Sequence, residues 1–142
     1  MKYHFKIHQE SNGYWAECIE LEGCSTQADT REILEKNMSE ALNLFLSEPE
    51  SSNYIFSKPK KMKLNSNIKE VVVEPTVAMA LKIRELRLKN KLTQKGMMEK
   101  LGIKFLSNYQ RLENPKKSNP EVKTLSIIKK EFPNFSIDEI FA

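Results

Sequence analysis

Glycine is scarce in this 142-residue chain, with four in all at positions 13, 23, 96 and 102. A loop that cradles phosphate needs several glycines at fixed spacing, so that class of nucleotide site is excluded. Cysteine is scarcer still: Cys18 and Cys24 are too few for a disulfide framework and read as reduced thiols of a cytoplasmic protein. Their separation lacks the tight C-x2-C spacing of zinc sites. The two histidines, His4 and His8, share a strand face but lie roughly 13 Å apart at the rise of a strand, too far to hold one metal. No grouping of Cys, His and Asp or Asn stands out for nucleophilic catalysis. Long hydrophobic runs are missing too. No stretch approaches the roughly 18 apolar residues of a membrane span, and the opening MKYHFKIHQE has neither an apolar core nor a small-residue cleavage site, so nothing in it suggests export. The expectation is a cytoplasmic, non-enzymatic protein without metal or cofactor.

Charge is what the chain has in quantity, and it is unevenly divided. A composition of 39% hydrophobic and 30% charged residues is that of an ordinary folded protein, and the length allows one domain or two small ones. Residues 1–57 carry four basic side chains (Lys2, Lys6, Arg31, Lys36) against ten acidic ones, a net of −6. Residues 58–142 carry 19 basic and nine acidic side chains, a net of +10. Opposed halves imply two surfaces with different partners. The basic half suits a polyanion, whose condensed counterions lysine and arginine displace. The acidic half repels nucleic acid and suits a basic protein.

In the acidic half, Tyr3, Phe5 and Ile7 alternate with His4, Lys6 and His8, the period of a half-buried strand. Asn12-Gly13 is a strong hairpin signal, because both residues tolerate positive φ. Tyr14 to Ile19 continues as a second strand, with Trp15, Glu17 and Ile19 on one face and Tyr14, Ala16 and Cys18 on the other. Trp15 suits either the core or an interface; its register with Ile19 favours the core. After Gly23, Cys24 to Ala28 reads as a short third strand. Asp29 or Thr30 caps a helix running to about Ser47, ended by Pro49, with Ile33, Leu34, Met38, Ala41, Leu42, Phe45 and Leu46 at helical spacing. Residues 48–66 read as a loop or linker with a short strand at Tyr54–Phe56, and Ile68 to Glu74, bounded by Pro75, reads as a fourth strand. Glu17, Glu20, Glu22 and Asp29 could cluster around a metal; exposed acids on the surface of the sheet are the favoured reading.

In the basic half, Thr76 caps a helix with Val77, Leu81, Ile83, Leu86 and Leu88 as its apolar stripe, ended by Asn90-Lys91. Thr93 caps a second helix whose Met97, Met98 and Leu101 face inward, and Gly102 follows where a left-handed glycine is expected. A helix, glycine, helix spacing is the mark of a helix-turn-helix. The third helix is predicted from Lys104 or Phe105 to Glu113, with Phe105, Tyr109 and Leu112 inward and Asn114-Pro115 as its stop. A fourth helix spans Val122 to Phe132 and a fifth Ser136 to Phe141.

The segment IRELRLKNKLTQ…LGI…YQRLENPKKSNPEVKTLSIIKKEF resembles the Xre/Cro-type helix-turn-helix family over about 60 residues. That resemblance gives Gln94, after the cap threonine, a phosphate contact. It makes the third helix the recognition helix, with Lys104, Ser107, Asn108, Gln110 and Arg111 outward. Amide side chains can bridge adenine, and arginine can bridge guanine. Lys95, Lys116 and Lys117 suit phosphates, which set register without reading sequence. Five residues lie between Ile103 and Tyr109 where the family pattern usually has four, so the third helix starts later or its turn bulges.

The segment YHFKIHQESNGYWAECIELEGCSTQADTREILEKNMSEALNLFL resembles the HicB antitoxins of bacterial toxin–antitoxin pairs. Tyr14, Ala16, Leu21, Gly23, Thr30 and Glu40-Ala41-Leu42 carry the likeness. Cys18-Ile19-Glu20 departs from it, because many members have a proline there. The resemblance implies an α+β domain at 1–75 (β-β-β-α-β, partial RNase H-like, with 48–66 as a loop or linker within it) and an all-α helix-turn-helix domain at 76–142. It implies a HicA-type mRNA-cleaving toxin and double-stranded operator DNA as partners, and a homodimer or homotetramer. Glu17, Glu20, Glu22 and Asp29 would then mimic RNA phosphates toward the basic toxin. Two rivals stand beside this reading. One is a free-standing, ligand-sensing transcriptional regulator, which needs a pocket with convergent polar groups. The other is an RNase H-like nuclease, which needs clustered acids around magnesium.

Overall fold

A computed structural model of the chain describes residues 1–47 and 53–141. The chain divides into two compact units at Glu74/Pro75, one mixed and one helical. In the first, β1 (Lys2–Glu10), β2 (Gly13–Cys18), β3 (Ser25–Ala28) and β4 (Ile68–Val72) form a sheet in the order β3-β2-β1-β4, joined by α1 (Arg31–Ser47). Every neighbouring pair is antiparallel.

Alternation sets the buried face. Tyr3, Phe5 and Ile7 of β1, Ala16 and Cys18 of β2 and Val71 of β4 are buried, as side chains of period two on one face of a sheet must be. Leu34, Met38, Leu42 and Leu46 repeat every fourth residue along α1 and are at most 1% exposed, so one stripe of the helix closes over that face. Each such side chain contributes roughly 1.5–3 kcal/mol when fully buried. The Thr30 hydroxyl accepts from the Ile33 N–H at 3.3 Å, which makes Thr30 the cap of α1. The role expected of Pro49 and the first part of the 48–66 linker fall on residues 48–52, outside the described residues.

Three expectations for this unit need correction. The hairpin loop is Ser11-Asn12, since Glu10 pairs with Gly13. Gly13 opens β2 at φ +144, while Asn12 keeps a negative φ. A Cβ on Gly13 would come within 2.7 Å of the Ala28 carbonyl oxygen, so the positive φ and the close approach together require glycine at the start of β2. Tyr54–Phe56 is not a strand. Instead Tyr54 meets Phe56 edge-on at 5.1 Å between centroids, and Phe56 meets Phe45 at 5.8 Å. Trp15 is not core. It lies half-buried on the opposite face and stacks on His8, with centroids 4.0 Å apart, because Ala16 and Cys18 take the inward positions of β2.

The second unit holds α2 (Pro75–Lys89), α3 (Gln94–Lys100), α4 (Leu106–Leu112), α5 (Val122–Glu131) and α6 (Asp138–Phe141). α2 begins at Pro75 rather than after a Thr76 cap; proline suits the first helical position, where no N–H partner is needed. It ends with Lys91 at φ 56, the Leu92 N–H donating to the Arg87 carbonyl and the Lys91 N–H to the Leu88 carbonyl. These are the two bonds of a left-handed helix stop, made here without glycine. Ile83, Met97, Leu101, Tyr109, Leu112, Ile128, Phe132, Phe135 and Ile140 form the core. No helix among the described residues is long and apolar enough to cross a membrane.

Candidate nucleic-acid and partner interfaces

α3 and α4 are each seven residues long, too short to persist without help. The Thr93 side chain accepts from the Gly96 N–H at 2.9 Å, satisfying one orphan donor at the start of α3. Gly102 at φ 68 ends that helix, and its N–H donates to the Glu99 carbonyl. The turn then runs through Ile103, Lys104 and Phe105. Phe105, at φ −117 and ψ 134, is still extended, so α4 begins at Leu106. The extra residue before Tyr109 is thus absorbed by a later start. Two expectations fall with it. Phe105 is 57% exposed instead of inward, and Lys104 lies in the turn, its Nζ 5.5 Å from the Phe105 ring centroid.

From Leu106 the helical period sorts the side chains. Tyr109 and Leu112 point into the core, whereas Ser107, Asn108, Gln110 and Arg111 are exposed. Ser107, Gln110, Arg111 and Asn114 follow the i, i+3, i+4, i+7 spacing of one helix face. They border a hollow of about 450 Å³ together with Gln94, Glu113 and Lys117. Gln110 Nε2 donates to Gln94 Oε1 at 3.2 Å, tying the first residue of α3 to the exposed face of α4. After the helix, Asn114 Oδ1 accepts from the Lys116 N–H and the Asn114 carbonyl accepts from the Lys117 N–H. This turn presents two exposed lysines next to the helix face. The structure therefore gathers Gln94, Ser107, Gln110, Arg111 and Lys117 around one hollow. Lys95, Lys104, Asn108 and Lys116 are exposed but do not line it.

Beneath that surface lies a pair that periodicity alone did not reveal. Arg87 of α2 donates from Nε to Glu113 Oε2 at 2.8 Å and from Nη2 to Glu113 Oε1 at 2.9 Å. Their side chains are 8% and 2% exposed. Nη1 of Arg87 also reaches the Leu92 carbonyl, so one guanidinium joins α2, the start of α3 and the end of α4. Burial and the charge of Glu113 push the Tyr109 phenol above its ordinary range, which keeps it neutral. Arg84 and Arg87 fall on the stripe of Val77 and Ala80, where helical spacing points inward. Their residue type hid what their spacing said.

The four acidic residues singled out in the first unit are not all at the surface. Glu22 and Asp29 are exposed, and Glu17 is 47% exposed beside His8 at 3.4 Å. Glu20 is different: its side chain is 0% exposed. It accepts from the His4 N–H at 2.9 Å, His4 Nδ1 at 2.5 Å and the Lys60 N–H at 3.2 Å, while Cys18 Sγ lies 3.7 Å away. Burial works against its charge, but the hydrogen bonds outweigh burial and hold its carboxyl below the usual carboxylate range. Glu20 is a structural acid and is unavailable to a partner. Among the described residues, no group of three or more His, Cys, Asp and Glu side chains could hold a metal ion. No protein-family model matches the chain, and no curated protein matches it. The sites above rest on their geometry and on the residue patterns that point to them.

Proposed function

We propose that this chain is the antitoxin of a type II toxin–antitoxin pair, a HicB-like protein that blocks a HicA-type mRNA-cleaving toxin and represses its own operon. In this reading the sheet with α1 is the partial RNase H-like toxin-binding module, and α3–turn–α4 is a helix-turn-helix of the Xre/Cro type. The carrying observation is the exposed face of α4, where Ser107, Gln110 and Arg111 stand beside Gln94 and Lys117 around one hollow. A helix that buries Tyr109 and Leu112 on one side and leaves amides and a guanidinium on the other suits the base edges of a major groove. Residues 75–142, the helical unit, carry 14 basic and seven acidic side chains, and this net of +7 supplies the non-specific attraction to phosphate. A homodimer or homotetramer would set two such helices about one helical turn of DNA apart.

Mobility shift against the DNA upstream of the gene tests this half. Arg111→Ala is expected to weaken binding by about 1–3 kcal/mol, roughly five- to 150-fold, with relaxed sequence preference. Binding that is absent, or that does not weaken as salt rises, defeats the reading.

The toxin arm rests on Glu17, Glu22 and Asp29; residues 1–57 carry a net of −6, which the lysine-rich residues 58–74 reduce to −3 over residues 1–74. Glu20 drops out because it is buried. Co-expression with the adjacent gene should yield a complex with a small basic protein. The triple change Glu17→Lys, Glu22→Lys, Asp29→Lys should slow association about tenfold or more, as expected when charge steers encounter. Undiminished toxin binding would remove electrostatic mimicry from the mechanism.

One observation favours the alternative of a ligand-sensing regulator. An open hollow of about 860 Å³ lies by β2 and β3, with Tyr14, Trp15, Gln27, Asp29 and Ile33 among its lining. A chain that purifies without any basic protein, and shifts DNA only with a small molecule, would select that alternative.

A further inference from the structure

β2 and β3 run in antiparallel register, with Ala16 opposite Thr26 and Glu17 opposite Ser25. One step further along the same ladder, Cys18 stands opposite Cys24, and the Cys18 N–H donates to the Cys24 carbonyl at 2.8 Å. Cys18 shares the inward face of Ala16, and both cysteines are buried, at 5% and 3% exposure. Residues opposed in an antiparallel ladder have Cα atoms roughly 4.5–5.5 Å apart, inside the span of roughly 4.4–6.8 Å that a disulfide bridges. Both thiols are free.

We propose that Cys18 and Cys24 are a reversible modification site, closing to an intrachain disulfide when the protein meets peroxide. The two sulfurs differ in a way that assigns the order of events. The Cys18 thiol donates to the buried Glu20 carboxylate at 3.7 Å and so keeps its proton; its closeness to Cys24, with burial, pushes it up, while Cys24 is held below its ordinary range. Cys24 is the attacking sulfur. Its thiolate attacks one oxygen of hydrogen peroxide; the O–O bond breaks, Cys24 becomes a sulfenic acid, and the departing hydroxide takes up a proton as water. Cys18 then attacks the Cys24 sulfur; the S–S bond forms, the S–O bond breaks, and the hydroxyl leaves with the Cys18 proton as a second water. Two thiols and one peroxide yield one disulfide and two waters. The Glu20 carboxylate, 3.7 Å from Cys18 Sγ, is placed to take the Cys18 proton on its way out.

The ring so closed contains the turn Ile19–Gly23, including exposed Glu22 and the Glu20 that holds His4. Oxidation therefore fastens the turn that joins β2 to β3, and reduction frees it. This site stands independently of the antitoxin reading, because the bond forms or fails whatever the chain binds.

The test treats the full chain with hydrogen peroxide, alkylates it with iodoacetamide in denaturant and weighs it. Untreated protein should take two alkyl groups. Treated protein should take none, weigh two hydrogens less, show a peptide crosslinked between Cys18 and Cys24, and regain both alkylation sites with dithiothreitol. Two alkylated cysteines after treatment, sulfinic acid at either position, or a covalent dimer each overturn the proposal. In the Cys18→Ser variant, dimedone should trap a sulfenic acid on Cys24. A failure to trap it there overturns the assigned order.

Discussion

Replacing Glu113 by alanine is expected to destabilise the helical unit by about 3–5 kcal/mol, the cost of leaving a buried charge without its partner. The carboxylate receives two hydrogen bonds from Arg87, and Arg84 is buried nearby at 3% exposure. Its loss strands guanidinium charge in a site with almost no water, which is far costlier than losing an exposed ion pair. Denaturant unfolding of the full chain should show the helical transition moving to lower concentration. Glu113→Gln keeps an acceptor oxygen but no charge, so its effect should be smaller. A loss below about 1 kcal/mol for Glu113→Ala would mean that the pair adds little to the packing of α2 against α4. Because Glu113 directly follows α4, the proposed DNA binding predicts that affinity falls with it although the buried carboxylate meets no base.

Glu20→Ala should destabilise the mixed unit by a similar amount. Three hydrogen-bond donors at the carboxylate, two from His4 and one from Lys60, would lose their acceptor. Each buried donor left without a partner costs roughly 1–3 kcal/mol. The effect has a pH signature. The Glu20 carboxyl lies below its ordinary range when folded, so it contributes stability above the carboxylate range of the unfolded chain. That contribution disappears as pH falls through the folded value. The gap between wild type and Glu20→Gln should therefore be full at neutral pH and narrow below about pH 4. An equal gap at pH 7 and pH 3 would show that the carboxylate charge is not what holds His4 and the 60s segment.

The elements were legible in the chain because they follow from local rules. Tyr3-x-Phe-x-Ile announces a strand and its buried face at once, and Leu34, Met38, Leu42 and Leu46 do the same for α1. Thr93 and Gly102 mark the ends of α3 through backbone chemistry that needs no tertiary context: an oxygen for an orphan N–H, and a residue free to take positive φ. Most of the exposed face of α4 was legible for the same reason, once Tyr109 and Leu112 were recognised as inward. The start of α4 was harder. Lys104 and Phe105 are compatible with a helix, and only the extended backbone at Phe105 takes them out of it.

Residue types and their spacing by themselves determined the order of strands and helices along the chain, the division of charge between the two halves, and the inward sides of β1 and α1. Tertiary structure alone decided which polar groups were worth burying. Glu20 finds His4 sixteen residues earlier, and Arg87 finds Glu113 twenty-six residues later. A charge can leave water only when partners distant in the chain converge on it with the right geometry, and convergence of that kind leaves no periodic trace.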